Sequence, residues 1–122
     1  MKIESIKFKA KRLDNGEWIK GDLVHSTSYV GIGYPSSIFP DVPVVHKVDS
    51  GTVCMFTGLK DKNETPIYEG DIVKYKDNIA EIIDTINWDS KTATFCFGRD
   101  FLFHYFSEYM VIIDNKFDNK NK

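Results

Sequence analysis

From Thr57 to Val73 the chain carries the feature that most restricts its fold. Gly58 is followed by the polar run Lys60-Asp61-Lys62-Asn63-Glu64-Thr65 and by Pro66. Ile67-Tyr68 then lead to the turn Glu69-Gly70-Asp71, and Ile72-Val73 are β-branched. Polar residues, Gly and Pro at this density leave no room for a helix. The short apolar pieces on either side fit strands. The whole stretch from Gly58 to Pro66 reads as an exposed loop, and Ile72-Val73-Lys74-Tyr75 as the start of a strand.

The flanking sequence agrees. Phe8 and Ala10 alternate with Lys7, Lys9 and Lys11, the period of a half-buried strand. Asp14-Asn15-Gly16 suits a tight hairpin turn, and Trp18–Val24 returns. Ser26–Pro43, punctuated by Gly31, Gly33, Pro35, Pro40 and Pro43, reads as loop with at most brief strands. Val44–Val48 and Thr52–Thr57 are extended and joined at Asp49-Ser50-Gly51. Ile72–Tyr75, Ile79–Trp88 and Thr92–Phe97, separated by short polar turns, make a meander. Phe101–Met110 fits either an extended strand or one helical turn. Val111-Ile112-Ile113 reads as the last strand.

The fold class is therefore all-β. An N-terminal hairpin-based β subdomain is expected to pack with a C-terminal small SH3-like barrel or meander, with room for one short helical turn. The chain is read as a single domain, 1–122, with subdomains at about 1–57 and 67–119 joined by the 58–66 loop. At 122 residues it can bury a core without metal or disulfide staples. Cys54 and Cys96 stand in apolar runs with no metal-like or redox-like spacing. They read as buried reduced thiols, with a disulfide through strand pairing as the alternative.

Function is less legible. A formal net charge of −2 argues against a dedicated electrostatic binder of nucleic acid. His25, His46 and His104 are scattered, Gly31-Ile32-Gly33 is too short for a phosphate cradle, and nothing marks Glu81 and Asp84 as a catalytic pair. The expectation is a non-enzymatic chain without cofactor or metal. No run approaches the roughly 20 apolar residues of a membrane span, so a cytoplasmic location without membrane contact is expected. Two candidate contact sets remain. Lys7, Lys9 and Lys11 share a strand face and could follow a phosphate backbone, or could guard an edge strand against aggregation. Lys60, Asp61, Lys62 and Asn63 form the polar loop. Tyr68 and Trp18 read as packed rings.

Thr57-Gly58-Leu59-Lys60-Asp61-Lys62-Asn63 followed by Ile67-Tyr68-Glu69-Gly70-Asp71-Ile72-Val73 resembles the signature of the YopX family of phage and prophage proteins. Lys7–Lys11 with Gly16, Trp18 and Gly21, then Val48-Asp49, Thr52-Val53 and Phe56-Thr57-Gly58, and finally Ile112–Asn119, resemble further family stretches in the expected order. Three positions depart. Glu64-Thr65-Pro66 follows Asn63 where Asn-Gly is usual, so a longer or differently shaped turn is expected. Asp114 replaces a usual Gly, and Lys116 a usual apolar residue. By analogy only Lys120-Asn121-Lys122 should fray. The resemblance implies a small β-rich phage-encoded protein of bacterial cells, in a family some of whose members self-associate. It brings no catalytic or binding residues. The expected partner is a second copy or a host or phage protein; single-stranded nucleic acid, in phage replication or expression, is the alternative.

Overall fold

The computed structural model describes residues 2–118. The residues expected to fray, 120–122, lie outside that range. The described chain is all-β, with eleven strands and only single 3-10 turns besides them. It divides into two compact units, Met1–Phe56 and Thr57–Lys122.

In the first unit the strands are β1 (Phe8–Lys11), β2 (Trp18–His25), β3 (Val30–Pro35), β4 (Pro43–Lys47) and the start of β5 (Cys54–Lys60). They are ordered β4-β3-β2-β1-β5, all antiparallel. The opening hairpin forms as its alternation predicts, with Gly16 at φ +72° and the Asn15 Oδ1 accepting the Glu17 N–H. Inward positions make a small core of Ala10, Ile32 and Val48 with Phe8, Ile19, Val30 and Val53 packed against it. Thr52, inside a 3-10 turn capped by Asp49, accepts the Lys11 N–H on its Oγ1 at 2.8 Å.

Two expectations for this unit are corrected. Ser26–Pro43 holds more than brief strands, since β3 is a six-residue strand carrying the fully buried Ile32, although most of the segment does lie outside strands. Its glycines serve close approach rather than turning: a Cβ on Gly31 would lie 2.7 Å from a Val45 methyl. And β1 is not an edge strand, because β5 pairs along its other side.

In the second unit the end of β5 lies beside β6 (Pro66–Tyr68), with the Thr57 hydroxyl donating to the Ile67 carbonyl. A separate sheet holds β7 (Asp71–Lys76), β8 (Glu81–Asp89), β9 (Thr94–Phe97), β10 (Asp100–Phe101) and β11 (Met110–Asn115), in the order β10-β9-β8-β7-β11. This is the meander, left open rather than closed into a barrel. β10 is only two residues long, and the chain leaves it in two 3-10 turns, Leu102–His104 and Ser107–Tyr109. Phe101–Met110 is therefore neither a strand nor one helical turn. Its Leu102 anchors in the core with Ile67, Val73, Tyr75, Ile86, Phe97 and Met110. Tyr75, Phe97 and Tyr105 meet edge-on or tilted at 5.0–6.5 Å, the arrangement that ring quadrupoles favour.

The polar loop also differs from expectation. Gly58, Leu59 and Lys60 belong to β5, which leaves a turn over residues 61–65. Glu64 adopts φ +65°, the left-handed conformation that glycine enters without the steric cost of a Cβ. Glu64→Gly should stabilise the chain by about 0.5 kcal/mol, the left-handed penalty of a side chain less the unfolded-state entropy of Gly. A rise in urea midpoint measures it.

Candidate interaction surfaces

The signature of Thr57–Val73 is built around two buried carboxylates. Asp61 is 5% exposed. Its Oδ1 accepts the N–H groups of Asn63 and Thr65, both at 2.9 Å, and its Oδ2 accepts the Ile112 N–H at 3.0 Å. The Lys62 N–H adds a bond to the Met110 carbonyl at 2.8 Å. Together these bonds occupy part of the outer edge of β11, which would otherwise present bare backbone groups to another strand. Asp71, 2% exposed, accepts the Tyr68 N–H and the Asn115 side-chain amide. Between them Gly70 turns at φ +91°. The signature is thus a clasp that binds its own turns to β11.

This settles the placement of the loop candidates. Asp61 faces inward and holds the turn. Lys60, Lys62 and Asn63 are exposed. The reach of Asp61 to a residue 51 positions away left no local signal.

Lys7, Lys9 and Lys11 do share a face along β1 and its lead-in, but they lie along rings instead of standing in open solvent. Lys7 sits over Phe56 at 5.0 Å, Lys9 and Lys11 over Trp18 at 4.6 and 5.4 Å. Lys20 joins them opposite Lys9. Lys7, Lys9 and Lys11 are all half-buried, and cation–π pairing with stems laid along the rings explains their place without a ligand.

Titratable groups elsewhere are engaged locally. Asp100 accepts from Tyr105 and pairs with the His104 Nδ1 at 2.6 Å, and the His104 bond holds its carboxyl below the usual range. The thiol facing this strand pair, Cys96, is buried and pushed up by desolvation, the opposite of an activated nucleophile. Cys54 is likewise buried and in no disulfide, its thiol donating to the Thr52 carbonyl at 3.2 Å. Glu81 pairs with Lys74 at 3.0 Å, and Asp84 accepts the Thr85 N–H. The Tyr75 hydroxyl donates to Asp77, which together with burial pushes its pKa up to about 12. His46 stacks on Tyr34 at 5.9 Å. Among the described residues no three His, Cys, Asp or Glu side chains gather at a metal-binding spacing, and no helix is long and apolar enough to cross a membrane.

What the described surface does offer is exposed apolar area, three groups of which are candidate contacts. Phe103 is 71% exposed, stacked on Phe101 at 5.3 Å, and Phe106 is 66% exposed. A groove on the second unit is floored by Tyr109, Val111 and Ile113 and rimmed by Lys62, Lys74 and Lys76. A finger between β3 and β4 exposes Ile38, Phe39 and Val42. The last two were missed in the sequence: Pro-bounded Ile38-Phe39 looks like any loop, and Ile113 looks like core. The register of β11 against β7 skips at Ile113, a bulge that leaves its side chain half exposed.

A family model described as YopX protein matches residues 7–119. No curated protein and no solved structure matches the chain. The family match spans the opening hairpin, the aspartate clasp and the closing strand, and the chain belongs to the YopX family.

Proposed function

We propose that this chain is a non-enzymatic phage or prophage accessory protein that works inside the bacterial host cell by protein contact, including contact with further copies of itself. The observation that carries the reading is the Phe101–Phe106 segment. Its 3-10 turns spend Leu102 and Tyr105 on the core and hold Phe103 and Phe106 outward. Rings of this size fixed in an exposed position are typical of contact surfaces, where they contribute large area at little entropic cost.

Affinity capture of the tagged chain from infected cells, with and without nuclease, tests this. Recovery of a protein partner is expected to survive nuclease and to fall at least tenfold with Phe103→Ser and Phe106→Ser together. Recovery that is abolished by nuclease, and that falls when Lys7, Lys9 and Lys11 become Glu, would favour the single-stranded nucleic-acid reading and overturn this one.

A further inference from the structure

The finger between β3 and β4 is ordered although its apolar side chains point away from the core. The Ser36 Oγ accepts the N–H groups of Ile38 and Phe39 at 3.2 and 3.1 Å. The Val42 N–H donates to the Phe39 carbonyl at 2.9 Å, closing a turn over Pro40-Asp41, and the Ser36 N–H donates back to the Val42 carbonyl. Pro in the second place of such a turn presets its backbone. Backbone bonding is thus met locally, while Ile38, Phe39 and Val42 stay 76%, 66% and 60% exposed. Asp41, at the tip, is the one charged side chain between Ser26 and Val45.

The groove on the second unit has the complementary character. Tyr109, Val111 and Ile113 offer an apolar floor, and Lys62, Lys74 and Lys76 stand around it. Glu108 shares the lining, and Glu81 already pairs with Lys74, so three lysines face two carboxylates and the rim stays positive. The finger brings three apolar groups and one negative charge; the groove brings an apolar floor and surplus positive charge. Both are present on every copy.

We infer that copies of this chain associate head to tail, the Ile38-Phe39-Val42 finger of one copy seating in the lysine-rimmed Tyr109-Val111-Ile113 groove of the next. The inference rests on the self-contact part of the proposed function and names its surfaces. Such a contact joins two different patches, so it builds a ring if the rotation closes and a filament if it does not. Asp41 against the rim lysines sets orientation and makes the association sensitive to salt.

Two variants make the test. Phe39→Asp removes the finger and Ile113→Asp the groove, both at exposed positions, with far-UV circular dichroism checking that each folds. Should either fail to fold, Phe39→Ser and Ile113→Ser replace them. Light scattering at tens of micromolar is expected to show an associated wild type and two monomeric variants. Mixing the variants should restore a two-chain species, since one intact finger meets one intact groove. Either variant keeping the wild-type mass, or a mixture that stays monomeric, overturns the inference while leaving protein contact in place. A monomeric wild type overturns the self-contact reading itself. Binding of anionic phosphatidylglycerol vesicles that Phe39→Asp abolishes, with mass unchanged, would assign the finger to a lipid surface and overturn the inference too.

Discussion

Asp61→Ala is expected to cost about 3 kcal/mol of stability. The side chain accepts three backbone N–H bonds from a position 5% exposed. Bonds to a charged acceptor are each worth roughly 1.5–3 kcal/mol, and an orphaned buried donor adds its own desolvation cost. Water can reach the Asn63 and Thr65 amides in the turn, which keeps the total below the simple sum. The Ile112 amide is different, because its partner also pins β11. Thermal unfolding should shift down by roughly 10–20 °C for a loss of this size. Hydrogen exchange should show the Ile112 amide among those most accelerated. Asp61→Asn, which keeps the shape and one acceptor oxygen, should cost about half as much. An Asp61→Ala melt within a degree or two of wild type would mean that the clasp is not what holds the turn.

Gly21→Ala should be as damaging, for a steric reason. A Cβ there would lie 2.3 Å from the Gly33 backbone carbonyl oxygen and 3.1 Å from an Ile32 methyl. A backbone atom cannot swing aside as a side chain can, so β2 and β3 must move apart where Asp22 pairs with Gly33. That strains the wall of a core whose fully enclosed members are only Ala10, Ile32 and Val48. Overpacking of this kind costs about 3 kcal/mol. Urea unfolding followed through tryptophan fluorescence, to which Trp18 in this unit contributes, should show a lower midpoint; a midpoint unchanged within error would contradict the close approach.

These two residues also mark where the sequence was readable. Alternation and short polar turns were enough to place β1, β2, β7, β8 and β9; β7 is the clearest case, with Asp71, Val73 and Tyr75 buried and Ile72, Lys74 and Lys76 more open. Gly31 and Gly33 were misleading: glycine marks a turn and a close approach alike, and only the position of Val45 across the sheet distinguishes them. The Phe101–Met110 segment satisfied strand and helix periods equally, since its core residues, Leu102 and Tyr105, are fixed by tertiary contacts and not by a repeating pattern. The lysine row was legible as a face. Its place inside the sheet depends on β5 pairing from the far end of the unit, which no local pattern encodes.

The same division holds for the contact surfaces. Asp71 was read within the turn Glu69-Gly70-Asp71, where it stands, whereas Asp61 was grouped with its exposed neighbours because its decisive partner is Ile112. The finger and the groove needed the hairpin geometry and the bulge at Ile113 to become visible.

The signature is a structural clasp, and the proposed function rests on exposed apolar surfaces that meet other copies among their partners. Sedimentation equilibrium of the wild-type chain, run from low to tens of micromolar at low and high salt, tests that most directly. The expected result is a mass that rises with concentration above the 14.0 kDa of one chain and rises less at high salt. A single 14.0 kDa species over the whole range would contradict it.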